Sequence, residues 1–317
     1  MISTEGKRSS LFHQPVMPEE VRFYLITRRD GTYLDMTCGG GGHLKILSES
    51  LSRKAVLIGF DRDKEAVLFA RKNLKGIPQV TQIINSRFSE IDRVARDIKL
   101  GKIDGIFFDL GVSSHQIDSS QRGFSFMQDG PLDMRMNLSD SLTAETVIND
   151  YSAEKLIEIF RRYGEEKRAR RIVSAIERQR QKERIDTTKK LQTVLKSVVS
   201  GRDLNSTLAR LFQAIRIEVN GELDELTKAL PRAFDLLASG GRFVCLSYHS
   251  LEDRIVKRFL RERAKGCICP DNFPVCMCGR KPDAEILTRR VIRPNKKEVA
   301  ANSRARSARL RAAQKLN

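Results

Sequence analysis

The feature that most constrains the fold is a run of four glycines, Gly39–Gly42, set between a β-rich segment and a helical one. Thr32–Thr37 (TYLDMT) reads as a strand, and Leu44, Leu47 and Leu51 recur on one face of a helix. Glycines at such a junction let the backbone approach a ligand. They also open a helix whose N-terminus carries positive potential. The plain alternative is a tight turn with no ligand.

The pattern around the loop repeats. Ala55–Phe60 (AVLIGF) is a buried strand ending at Asp61, Ala66–Leu74 is helical, Val80–Ile84 is a third strand, and Phe88–Leu100 is mostly helix. Ile103–Asp109 (IDGIFFD) is a fourth strand. Continuous apolar strands separated by helices predict a parallel sheet covered on both faces, an α/β doubly wound fold. From about 117 to about 215 the strands stop. Leu156, Ile157 and Phe160, then Ile172, Val173 and Ile176, then Leu191, Val194, Leu195 and Val198 follow helical spacing. After that, Glu222–Ala238 reads as a helix, Gly240-Gly241 as a turn and Arg242–Tyr248 as a strand. The expected organisation is a discontinuous sheet domain, 1–116 and 216–317, interrupted by an all-helical insertion, 117–215. The segment from Cys267 onward reads as loop-rich, with a basic tail from about 280.

In a doubly wound sheet, ligands bind at the carboxyl ends of the strands. Asp61 ends the second strand, 20 residues after Gly41. A carboxylate there can accept hydrogen bonds from both ribose hydroxyls of an adenosine cofactor. Dinucleotides and S-adenosylmethionine both satisfy this geometry. Two details favour S-adenosylmethionine. Asp35, inside the first strand, can hold the ammonium of a methionine moiety but would repel a pyrophosphate. The loop also lacks the G-x-G-x-x-G spacing of nicotinamide binders.

The fourth strand ends in Asp109-Leu-Gly-Val-Ser-Ser-His-Gln116. A carboxylate at that position faces a methyl donor and can accept the N–H bonds of an amine nucleophile. Its other reading is a helix cap. The segments HQPVM (His13–Met17), DMTCGGGGH (Asp35–His43), GFDRD (Gly59–Asp63), DLGVSS (Asp109–Ser114), RGFSFMQDGPLDMRM (Arg122–Met136), SYHSLEDR (Ser247–Arg254) and AANSRARSARLR (Ala300–Arg311) follow in order. Together they closely resemble the bacterial 16S ribosomal RNA (cytosine-N4)-methyltransferase family, over nearly the whole chain.

That resemblance implies a Rossmann-like class I methyltransferase domain with a helical insertion. It also implies N4-methylation of a cytidine in the decoding region of the small ribosomal subunit. Cofactor contacts are expected from Gly41, Gly42, His43, Asp61, Phe88, Asp109 and Gln116, with Asp35 added from the residue reading. Phe88 would cover the adenine ring; its other role is core packing. The chain departs from the family pattern at His115, where proline is expected, and at Tyr248, where Phe is more usual. The Asp/Asn-Pro-Pro-aromatic motif of most amino-methyltransferases is replaced by Asp-Leu-Gly-Val.

Asp109 is the first candidate for positioning the amine, and His249 the second. Phe124 and Phe126 are candidates for stacking on a base removed from its helix, with core packing as the competing role. A DNA cytosine-N4 methyltransferase and a non-catalytic ribosome-binding factor are the rival functions.

Composition bears on the partner. The chain has 58 Lys and Arg against 40 Asp and Glu, a net charge of +18. Residues 280–317 hold 12 basic and 3 acidic residues, 12 − 3 = +9, and a second basic stretch runs from Arg161 to Arg184. This favours a polyanion, and the family resemblance implies 16S ribosomal RNA or the small subunit. No apolar run approaches the roughly 20 residues that cross a bilayer, and no targeting segment is evident. A cytoplasmic protein without membrane contact is expected. Its oligomeric state is open, a homodimer included. Cys38 and Cys245 read as small buried residues. Cys267, Cys269, Cys276 and Cys278 form a C-x-C, x6, C-x-C cluster that could hold a structural zinc ion or stand as free thiols. The family resemblance does not require the cluster.

Overall fold

The computed structural model describes residues 15–201, 204–267, 269–270 and 273–317. His13 and Gln14 of the first motif lie outside them. The strands are β1 (Thr32–Asp35), β2 (Val56–Asp61), β3 (Val80–Asn85), β4 (Ile103–Asp109), β5 (Leu237–Ser247), β6 (Ala284–Ile286) and β7 (Arg309–Lys315). The helices are α1 (Pro18–Leu25), α2 (Gly42–Ser50), α3 (Lys64–Asn73), α4 (Ile91–Asp97), α5 (Ser114–Asp118), α6 (Ala144–Asp150), α7 (Ala153–Arg162), α8 (Ala169–Arg180), α9 (Thr188–Lys196), α10 (Leu204–Asn220), α11 (Glu222–Asp235), α12 (Ser250–Ala264) and α13 (Lys296–Ala301).

The strands form one sheet in the order β3-β2-β1-β4-β5-β7-β6. The first five are parallel, and β7 lies antiparallel between β5 and β6. The order reverses between β1 and β4, where a doubly wound sheet opens its ligand crevice. This is the doubly wound, mostly parallel sheet that the sequence predicts.

Alternate residues of each strand feed opposite cores, as the period of two requires. Tyr33, Leu57, Phe107, Val244 and Ala312 pack on one face with Leu25 and Leu44. Leu34, Ile58, Phe108, Cys245 and Ala313 pack on the other with Leu230, Phe234 and Leu260. Burial on both faces explains why β2 and β4 read as unbroken apolar runs.

The chain divides into two compact units, one running to Gly111 and resuming at Leu223, the other Val112–Glu222. The second holds its own apolar core, built from Ile148, Phe160, Ile172, Ile176, Leu191, Leu211 and Ile215 among others. Its polar heart is Glu166, 3% exposed, which accepts from Arg168 Nε at 3.1 Å and Arg210 Nη2 at 2.9 Å. The expected boundary at 215/216 is corrected. It would cut α10, which continues to Asn220 and buries Ile215 and Val219, one turn apart, in the core of the helical unit.

Two further expectations are corrected. Gly240-Gly241 is not a turn between helix and strand. The pair lies inside β5, where the register with β4 slips between Ile103 and Gly105. Gly240 has φ +79°, so the irregularity sits where only glycine is unstrained. The segment beyond Cys267 is not merely loop: it contributes α13 and two strands. Leu310, Ala312 and Ala313 are fully buried, and Arg311 makes two hydrogen bonds to Asp253, at 2.6 and 3.1 Å. Part of the basic tail is therefore structural.

Candidate active site

The site is assembled at the carboxyl ends of β1, β2 and β4. Asp35 ends β1, Asp61 ends β2 and Asp109 ends β4. Thr37, which stands out by nothing in the sequence, ties two of them together. Its backbone N–H donates to Asp35 Oδ1 at 3.1 Å, and its hydroxyl accepts from the Asp109 N–H at 2.6 Å.

Asp35 is 1% exposed, and no ion pair reaches it among the described residues. Burial pushes its pKa well above the usual carboxylate value, and Asp109 and Asp61 push the same way against the Thr37 hydrogen bond. A buried carboxylate lacking a cation is unstable unless it is protonated or a positive ligand arrives.

Asp61 is fixed by two backbone donors. Gly39 N–H reaches Oδ2 at 2.8 Å and Asp63 N–H reaches Oδ1 at 2.9 Å. Each carboxylate oxygen keeps a lone pair for a further donor. Burial raises its pKa to about 6 despite those hydrogen bonds.

The glycine loop fits against α3. Gly41 has φ +84°, and a Cβ there would come within 2.6 Å of Leu74 Cδ1. The loop then enters α2 directly, with Gly41 at its N-cap and Gly42 and His43 in its first turn. Gly40 presents its carbonyl to Asn73 Nδ2 at 2.9 Å.

His43 is buried, and its ring meets Phe107 edge-on at 4.7 Å. Nε2 lies 3.0 Å from the Val16 carbonyl, which can only accept, so Nε2 carries a proton. Nδ1 lies 3.6 Å from Asp109 Oδ2. The other Asp109 oxygen accepts from the Tyr248 hydroxyl at 2.7 Å. Burial, reinforced by Asp109, holds the Tyr248 phenol well above its usual pKa, so it stays a donor.

Phe88 follows β3, half-buried, with its ring edge-on to Phe108 at 5.8 Å. Gln116 lies in the helical unit rather than the sheet unit. It closes the capping box of α5: its N–H donates to Ser113 Oγ at 3.2 Å and its Oε1 accepts from Ser113 N–H at 3.1 Å.

His249 is the N-cap of α12. Its Nδ1 accepts from Glu252 N–H at 3.4 Å, and Glu252 in turn accepts from the Tyr248 and His249 N–H groups. Nε2 lies 3.1 Å from Glu252 Oε1, off the line of a hydrogen bond. This geometry gives the ring a structural duty. Phe126 packs edge-on against Phe212 at 5.6 Å, and Phe124 packs on the same helical core. Core packing thus accounts for both rings. The four clustered cysteines lie in the chain between α12 and β6, all as free thiols.

Residues 10–316 match the profile of the MraW methylase family. The chain belongs to that family. It is 47% identical over 305 residues to the ribosomal RNA small subunit methyltransferase H of Caldicellulosiruptor saccharolyticus, covering 96% of this chain and 99% of that one. It is 45% identical over 307 residues to the protein of the same name from Geobacter sulfurreducens, again covering 96% and 99%. Membership makes the chain a methyltransferase, and the three acidic strand ends beside the glycine loop are where its chemistry can be housed. No helix among the described residues is long and apolar enough to cross a membrane.

Proposed function

We propose that the chain transfers a methyl group from S-adenosylmethionine to the exocyclic N4 amine of a cytidine in the decoding region of 16S ribosomal RNA. The observation that carries the reading is Asp35. It is a fully buried carboxylate with no cation paired to it among the described residues, beside a glycine loop, at the switch point of the sheet. The ammonium of the cofactor's methionine part supplies the missing charge. Asp61 receives the ribose hydroxyls, Phe88 covers one face of the adenine, and Gly41, Gly42 and His43 line the methionine end.

S-adenosylmethionine supplies an electrophilic methyl on a sulfonium. Asp109 holds the nucleophile. Its carboxylate, steadied by Tyr248 and by the Thr37 staple, accepts an amine N–H so that the nitrogen lone pair faces the methyl. The proton lost after transfer passes to Asp109, with His43 alongside its Oδ2.

The RNA reading rests on the relatives' names and on charge. In the helical unit, Arg170, Arg171 and Arg178 lie exposed along α8 without an ion pair among the described residues. In the sheet unit, Arg289, Arg290, Arg293, Lys296 and Lys297 are exposed. Lysines and arginines in such patches neutralise phosphates.

The reading is tested by methyl transfer in vitro to small subunits, naked 16S RNA and duplex DNA, with nucleoside mass analysis. N4-methylcytidine in RNA is expected. Methylation of duplex DNA alone would favour the DNA enzyme, and cofactor binding without transfer would favour a non-catalytic factor.

A further inference from the structure

The chain carries a second constellation that methyl transfer does not use. Cys267, Cys269, Cys276 and Cys278 lie between α12 and β6, and their four sulfurs are all within 4.8 Å of one another. Cys267 and Cys276 Sγ are 3.4 Å apart, Cys276 and Cys278 3.5 Å, and Cys267 and Cys278 3.8 Å.

These distances select among the chemistries open to four thiols. A disulfide needs about 2.05 Å between sulfurs, so the separations are those of unbonded atoms. An iron–sulfur cube hangs each thiolate on a separate iron and spreads the sulfurs well beyond this spacing. A single tetrahedral ion with metal–sulfur bonds of about 2.3 Å places its sulfurs about 3.8 Å apart. The cluster is close to that size.

Two backbone N–H groups are aimed at the sulfurs. Cys269 N–H points to Cys267 Sγ and Met277 N–H to Cys269 Sγ, each at 3.4 Å. Such donors offset the charge of metal-bound thiolates. Lys265, Arg280 and Lys281 flank the loop and act in the same sense against the double negative charge of a zinc tetrathiolate.

Among the described residues the loop has few other ties: the Phe273 N–H donates to the Pro270 carbonyl at 3.0 Å, and Arg280 Nη2 donates to the Glu262 carbonyl at 3.0 Å. Three large apolar side chains among its described residues point outward: Phe273 is 52% exposed, Val275 67% and Met277 77%. The described residues between α12 and β6 form no helix or strand. A segment this long with neither core nor ladder needs another cross-link. Metal binding supplies folding energy in such segments.

We propose that Cys267, Cys269, Cys276 and Cys278 bind one zinc ion as a structural tetrathiolate that fixes the loop between α12 and β6. The site is independent of the methyl-transfer reading, and either could fail without the other.

The test begins with the full-length chain purified under reducing conditions without chelator. Elemental analysis is expected to find one zinc per chain. The Cys267→Ser/Cys276→Ser variant is expected to lose it while keeping the circular dichroism of the parent. Removing zinc with a chelator is expected to open the loop to protease at least tenfold faster and leave the rest of the chain intact. Cobalt added to the stripped protein should give the visible bands of a tetrahedral thiolate complex. Absence of zinc together with failure to take up added zinc or cobalt would overturn the proposal. So would zinc retained by the double variant, or iron in place of zinc.

Discussion

The Tyr248 hydroxyl donates a 2.7 Å hydrogen bond to Asp109 Oδ1, joining the end of β5 to the carboxylate at the end of β4. The bond spans 139 residues of sequence. At a position where the family resemblance leads one to expect Phe, the hydroxyl thus acquires a polar role and holds the Asp109 side chain in place. Tyr248→Phe removes only the hydroxyl. A hydrogen bond to a charged group is worth about 1.5–3 kcal/mol, so kcat is expected to fall about ten- to hundredfold, with KM for the cofactor unchanged. A variant that merely melts earlier, with kcat unchanged, would show that the bond serves packing alone.

Asp61 predicts a pH dependence of cofactor binding. Its pKa in the ligand-free protein is raised to about 6, mainly by burial. Only the ionised form accepts from both ribose hydroxyls. Affinity for S-adenosylhomocysteine should therefore hold above that value and fall about tenfold per pH unit below it. For stability the sign is opposite. A raised acid pKa contributes stability that is present below the unfolded value of 3.8 and is lost as pH rises through about 6. Calorimetric titration across pH checks the binding; the Asp61→Asn variant should bind weakly and with a flat profile.

Asp35 should show an exchange of stability against function. Its carboxylate is buried without a cation and pushed well above its usual pKa by desolvation. Asp35→Asn keeps an acceptor for the Thr37 N–H and removes the charge. The ligand-free variant is expected to be more stable by about 1 kcal/mol at mildly alkaline pH, with the gain shrinking as the pH falls and the native carboxyl protonates. Its affinity for the cofactor should fall at least tenfold. Thermal unfolding with and without S-adenosylhomocysteine reads both. A variant that loses stability and keeps affinity would remove Asp35 from the site.

The α8 arginines make a prediction in salt. Replacing Arg170, Arg171 and Arg178 by Ala should weaken RNA binding and reduce the slope of log affinity against log salt by about 0.7–0.9 per lost phosphate contact. Filter binding over a salt series measures it. A parallel line with an unchanged slope would place RNA elsewhere.

The site was legible where continuous apolar strands end in an acid. Asp35, Asp61 and Asp109 each close such a run, and the glycine loop marks the first. Other parts were hidden for physical reasons. Thr37 belongs to no periodic pattern, and its role depends on β1 and β4 being neighbours, 72 residues apart. The strand β7 is written in small residues, Ala312 and Ala313, between Arg309, Arg311 and Lys315, so its charge masks its burial. His249 has the chemistry of a proton acceptor, yet the Glu252 three residues on draws it into a helix cap. Phe124 and Phe126 suggested a base platform because exposure cannot be read from a loop; the helical core accounts for both rings.

The most direct test of the central claim is mass mapping of 16S RNA from cells whose sole copy of this protein carries Asp109→Ala, beside cells with the native chain and cells with none. The account predicts that one N4-methylcytidine mark, present with the native chain, is lost equally in the other two, while the variant accumulates folded. A mark that persists at full occupancy with Asp109→Ala would contradict it.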